Sequence, residues 1–178
     1  MAKIDKFKLP FEKNTPFLAI STKQAHSGIY KNAVDFLIGY NVPILAAKNG
    51  KIIQVKDDSK EGGLEEKFKG NKHQNWITIK HPDGTFSQYV HLAYKSAQVE
   101  KGQEVKEGQK ISKGIDLIGY TNAPHLHFIV LTKKEKKINS IEIPWKKPLT
   151  IYRTKKEIIE ELKKPKYKNL IKEINKKK

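Results

Sequence analysis

The sequence predicts a mainly β protein: one small antiparallel sheet domain followed by two short C-terminal α-helices. Two observations carry this. Between Phe17 and about Val130 the apolar residues come in strand-length runs, each bounded by Gly, Asn, Asp or Pro. After Thr154 the apolar spacing changes to the period of a helix. A length of 178 residues suits a single domain, or one with an appendage, and 37% apolar residues suffice for a core.

The expected strands run through Pro43–Ala46, Lys51–Val55, Trp76–Ile79, Phe86–His91, Asp116–Gly119 and His125–Val130. Pro82, Asp83 and Gly84 make a hairpin turn between two of them, with Gly84 free to take positive φ. Residues 99–111 carry Gly102 and Gly108 and read as short strands with tight turns. The segment Lys60–Asn75 is polar, contains glycine and lacks periodicity, so it reads as a long surface loop. Thr154 followed by Glu157 has the spacing of a capping box, and Ile158, Ile159 and Leu162 supply an apolar face. Pro165 stops that helix. A second follows with Tyr167, Leu170, Ile171 and Ile174 at helical spacing. The two apolar faces need a surface, either the outside of the sheet domain or a partner chain. The expected division is therefore 1–150 for the sheet domain and 151–178 for a basic helical extension.

Thirty-six Lys and Arg face 19 Asp and Glu, a formal net charge of +17. Residues 131–178 hold 17 of the basic and 6 of the acidic residues, so eleven of the seventeen net charges lie there. Such a charge attracts polyanions, whether nucleic acid, anionic lipid or wall polymer, and its sign does not choose among them. It also suits a solvated tail with no partner. Cysteine is absent, which excludes disulfides, a thiolate metal site and a cysteine nucleophile. No apolar stretch is long enough to span a bilayer, and the N-terminal MAKIDKFKLPF lacks the apolar middle region of a signal peptide.

Chemistry concentrates in the histidines. His125 and His127 flank Leu126, so on a strand both imidazoles project to one face while Leu126 and Phe128 enter the core. Two imidazoles on one face suit a metal or acid–base site, although so short a pattern also suits a pair of structural histidines. Asp35 lies between Val34 and Phe36, nine residues after His26. A carboxylate flanked this way faces solvent or is buried and paired, and a divalent cation is one efficient partner. His91 ends an apolar run. His73 falls in the polar loop and His81 precedes the hairpin turn, and both read as structural.

Taken in order, several blocks resemble the lysostaphin/LytM-type peptidoglycan endopeptidases. They are Ala25-His26-Ser27-Gly28, Ala33-Val34-Asp35-Phe36, VPILAAKNGKIIQV, NWITIKHPDGTFSQYVHL, GQEVKEGQKI and IGYTNAPHLHF. The resemblance covers roughly Leu9 to Val130. It implies a zinc endopeptidase with an open groove, in which His26, Asp35 and His127 are the metal ligands. His91 and His125 are then the non-ligand histidines of acid–base work and transition-state stabilisation. Two His and one Asp leave a fourth tetrahedral position open, as in catalytic zinc sites. The absence of an HExxH helix leaves proton transfer to an imidazole. The sequence departs from the family pattern in three places. The His26 to Asp35 gap is nine where many members have four, Ala123 stands where Gly is common, and Ile129 stands where Glu often follows HLHF. The expected partners are peptidoglycan peptides and anionic wall polymers, at the cell envelope, periplasmic or secreted. A nucleic-acid function is not expected, because no reading motif is present and the tail lacks interleaved aromatics.

Overall fold

In the computed structural model, residues 4–135 and 137–175 are described, and they form twelve strands and two α-helices. The strands are β1 (Leu18–Ile20), β2 (Val34–Leu37), β3 (Ile44–Leu45), β4 (Gly50–Lys56), β5 (Gly62–Gly63), β6 (Trp76–Lys80), β7 (Thr85–Val90), β8 (Glu104–Val105), β9 (Lys110–Ser112), β10 (Gly119–Tyr120), β11 (His125–Lys134) and β12 (Lys137–Ser140). The helices are α1 (Lys155–Leu162) and α2 (Lys168–Ile174). The main sheet is antiparallel, in the order β1-β2-β11-β7-β6-β4-β8, with β12 also pairing with β11. The antiparallel pairing is as expected, and β11 runs on to Lys134 past the expected end at Val130.

Alternation along these strands sorts the residues into two faces. One face carries Val34, Phe36, Leu126, Phe128, Tyr89, Ile77 and Ile79, all buried, and it forms the core. Phe7, Phe11, Ile44, Ala46, Ile111 and Ile115 close over it, with Trp145 packed against Phe36 and Phe128. The other face carries Asp35, His125, His127, Val90, Gln88, Thr78 and Trp76, which share one side through the registers His127↔Asp35, His127↔Val90 and Trp76↔Val90. One sheet therefore has a dry face that holds the molecule together and a wet face that carries the polar groups.

The hairpin between β6 and β7 turns as expected. Gly84 has φ of 80°, and Thr85 accepts from the His81 amide at 2.8 Å. Asp83 caps the turn by accepting from the Thr85 amide at 3.1 Å and pairs with the buried Lys48.

Two expectations are revised. Only Gly119 of the segment Asp116–Gly119 lies in a strand, because φ of 77° at Gly119 ends the extended run and the Ile118 carbonyl is turned elsewhere. Residues 60–75 form a fastened wall rather than a plain loop. They hold β5 and two 3-10 turns, Glu66–Phe68 and Asn71–His73, and β5 pairs parallel with β10. The fully buried Asn75 side chain closes the segment, donating to the Ser59 and Leu92 carbonyls at 2.9 and 3.1 Å and accepting from the Ser59 amide at 2.9 Å.

The C-terminal capping box is formed: Glu157 donates its amide to Thr154 Oγ1 at 3.2 Å, and its carboxylate accepts from the Thr154 amide at 2.9 Å. Tyr167, Leu170, Ile158, Leu162, Ile171 and Ile174 pack on Leu18, Ile20 and Leu37 of the sheet, so the surface they cover is the sheet domain's own. Ile159 is not part of that face and stands exposed, since it lies a quarter-turn from Ile158.

Candidate metal centre

Three distant stretches of chain meet on the wet face. Asp35 on β2 and His127 on β11 are register partners, with His127 Nδ1 2.8 Å from Asp35 Oδ1. His26 comes from the turn after β1, and its Nε2 lies 3.1 Å from Asp35 Oδ2. One donor atom from each of the three lies within 4.8 Å of the others. The eight residues between His26 and Asp35 include a 3-10 turn, Gly28–Tyr30, entered through Gly28 at φ of 55°. That turn absorbs the long spacing and carries the Tyr30 ring to 5.9 Å from His127.

Hydrogen bonds behind the site fix which nitrogen of each ring faces the centre. The Ser21 hydroxyl donates its single proton to the Ala33 carbonyl at 2.8 Å, so at 3.3 Å it accepts from His26 Nδ1–H. His26 Nε2 therefore carries a lone pair. It is buried and, among the described residues, makes no hydrogen bond. A buried acceptor left without a proton costs free energy that a cation would recover. His125 Nδ1 donates to the Ala123 carbonyl at 2.9 Å and lies 3.3 Å from Thr121 Oγ1. His91 Nδ1 donates to the Ile118 carbonyl at 2.6 Å. Both rings thus leave Nε2 as the acceptor nitrogen.

His91 and His125 lie beside the three donors, their rings tilted at 59° with centroids 4.5 Å apart and His125 Nε2 3.6 Å from Asp35 Oδ1. His91 follows the last residue of β7 at φ of 64°, an uncommon conformation for a residue with a side chain, which turns its ring back over the sheet. Burial, together with the neighbouring His125 and His127, pushes the His91 imidazole down to about 3, so it is neutral at pH 7. Burial alone would raise the Asp35 carboxyl. The His125 imidazole, then the His127 ring bonded to the carboxylate, outweigh it and hold the carboxyl well below the usual range. Asp35 is thus an anion in the middle of four imidazoles.

All five residues singled out from the sequence come together. His81 and His73 stay apart from them. His81 is buried on the far side, bonded to the Asn49 carbonyl at 2.7 Å and the Ser87 hydroxyl at 2.9 Å, and His73 packs on Phe68. The five lie in a groove of about 800 Å³ whose lining also includes Tyr30, Gln54, Lys69, Trp76, Gln88 and Tyr120. Sequence reading did not single these out as groove residues. The parity of β6 and β7 would have found two of them, since Trp76 and Gln88 share the face of His127.

The sequence profile of peptidase family M23 matches residues 29–140, beginning three residues after His26. The chain is 34% identical over 100 residues to the glycyl-glycine endopeptidase ALE-1 of Staphylococcus capitis, covering 56% of this chain and 24% of that protein. It is 34% identical over 96 residues to lysostaphin of Staphylococcus simulans, covering 53% of this chain and 17% of that protein. It therefore spans a quarter or less of the length of these curated relatives. Among solved structures, a zinc containing peptidase from Vibrio cholerae superposes with a TM-score of 0.51 at 25% identity, over 82% of this chain and 41% of that one.

Proposed function

The chain belongs to peptidase family M23, and from that membership we propose that it is a zinc endopeptidase that hydrolyses peptide bonds of bacterial peptidoglycan. His26, Asp35 and His127 would hold the metal. The observation that carries this is the convergence of their donor atoms within 4.8 Å around a buried imidazole nitrogen that has a lone pair and no proton to accept. Two neutral nitrogens and one carboxylate are a donor set that suits zinc and leaves a position open. When bound, zinc supplies Lewis acidity, polarising a carbonyl and bringing the pKa of water to about 7.

The remaining work falls to this chain's own groups. His91 Nε2 and His125 Nε2 are the proton-accepting atoms beside the donors, because each ring's other nitrogen is committed to a main-chain carbonyl. A proton taken at either nitrogen can be returned to a leaving amine. Asp35 anchors the ligand set and offsets the charge of the cation. Tyr30, Lys69 and Tyr120 in the groove lining would orient an extended peptide and limit water. Residues 1–150 would form the peptidase domain and 151–178 a basic extension that favours anionic wall polymers. The place of action would be the cell envelope, in the periplasm or after secretion.

The test is zinc analysis of the purified protein together with digestion of isolated sacculi, glycine-bridged and directly cross-linked, and mass spectrometry of the released peptides. One zinc per chain and new peptide termini are expected. Protein devoid of metal and indifferent to added zinc, or zinc-loaded protein that releases nothing, would end the reading.

A further inference from the structure

Across the wet face, starting on the strand beside β11 and ending three strands from it, runs a polar row that the chemistry above does not use. Gln88 on β7, Thr78 on β6 and Gln54 on β4 are register partners of one another. Gln88 Nε2 lies 3.2 Å from Thr78 Oγ1, and Thr78 Oγ1 lies 3.0 Å from Gln54 Oε1. Thr78 is buried at 5% exposure beneath the two amides, while Gln54 is exposed and Gln88 half-buried in the groove lining.

A hydroxyl has one proton, so between two amides it can donate to only one and must accept from the other. The row runs in one direction: the Gln88 amide donates, the Thr78 hydroxyl relays, and the Gln54 carbonyl accepts. Among the described residues the Gln88 carbonyl and the Gln54 NH2 have no partner, one acceptor and one donor pair held two strands apart on the groove floor. This is the complement of a peptide group, which offers one N–H and one C=O. Charge points to the same ligand. The groove lining holds no acidic side chain except Asp35 and no cation except Lys69, which is occupied by Glu66 at 2.7 Å and the Tyr120 ring.

We propose that Gln88, Thr78 and Gln54 form a subsite that binds the main chain of the peptide substrate, gripping one uncharged peptide group remote from the bond that is cut. This rests on the peptidase reading and deepens it. Three strand spacings across the sheet, about 14 Å, and two residues along it separate His127 from Gln54, a span of about five residues of extended peptide. The subsite therefore reads chain length on one side of the scissile bond. Because it addresses backbone rather than side chains, it tolerates varied sequence and rewards an extended, uncharged segment.

The experiment compares peptides lengthened one residue at a time on either side of the cleaved bond. For the wild-type protein, kcat/KM rises about tenfold at the residue that reaches the row, as two good hydrogen bonds allow. Replacing that residue's amide by an ester removes the gain. In the Gln54→Leu, Gln88→Leu double variant, long and short peptides are cut at ratios near one, and Thr78→Val gives part of that loss. A wild-type protein with no length gain, or a variant that keeps it, overturns the subsite. A second readout needs no turnover: the Gln54 and Gln88 side-chain amide resonances shift on titration with the long peptide and not the short one. Inactivity on every peptide would count against the peptidase reading, and the resonances would still decide the subsite, since their failure to move overturns it.

Discussion

Three of the four imidazoles in the site are defined by what stands behind them. Ser21 turns His26, Ala123 turns His125 and Ile118 turns His91, so the reactive nitrogen of each is set before any ligand arrives. Replacing His127 by Ala should abolish zinc binding, whereas His91→Ala should keep zinc and lose about 10²–10⁴-fold in kcat. Metal analysis beside kinetics separates the two, and release of zinc by His91→Ala would reverse the roles assigned here. His81 gives a second prediction at this scale. Burial pushes it down to about 4 from an ordinary value of 6.5, so between those values the unfolded chain binds more protons than the folded one. Stability should therefore fall as pH drops from about 6.5 towards 4, and His81→Gln should flatten that slope in chemical denaturation. That His26, His91, His125 and His127 would share one site with Asp35 was legible from strand parity and block order. The left-handed turn at His91 was not, because no glycine marks it.

Among the elements, the wall at residues 60–75 and the segment 118–123 depend on each other. A Cβ on Gly62 would sit 2.3 Å from the Leu117 carbonyl, and one on Gly119 would sit 2.7 Å from Gln74 Cγ. The Gly119 and Thr121 amides donate to the Glu61 and Gly63 carbonyls at 3.0 and 3.1 Å. The same short segment supplies Ile118 to His91 and Ala123 to His125. Gly62→Ala should therefore displace both rings, lowering kcat by on the order of tenfold to a hundredfold while zinc content stays at wild-type level. An unchanged kcat would show that the wall does not position the histidines. Sequence patterning could not announce this contact, since a parallel pair built from two glycines has no apolar period and joins residues nearly sixty apart. The hairpin at Gly84 and the helices near Thr154 and Pro165 were legible because their signals are local. Thr154→Ala should cost about 1 kcal/mol by loss of its cap, measurable as a shift of the denaturation midpoint.

For the molecule as a whole, charge and topology set different things. The excess of Lys falls largely on the C-terminal third, where Lys164 and Lys166 are taken up by Glu161 while Lys155, Lys156, Lys163, Lys168 and Lys172 stand exposed. Attachment to isolated cell walls should weaken steeply as salt rises, since the screening length is about 10 Å at 0.1 M. Co-sedimentation with walls over a salt series checks this, and insensitivity would remove the polymer-binding role. The fold class was readable because alternation is a statement about every strand at once, whereas the order of strands in the sheet required the structure. That order has a consequence for how the protein becomes active. Asp35 and His127 are neighbours across a ladder although 92 residues separate them along the chain. A slip of β2 by one residue would turn the Asp35 carboxylate into the core and Val34 and Phe36 out of it, so the burial that fixes the sheet's register also fixes the ligand set. Correct threading of the last long strand and birth of the catalytic centre are thus a single event, and bound metal would select against mispaired molecules.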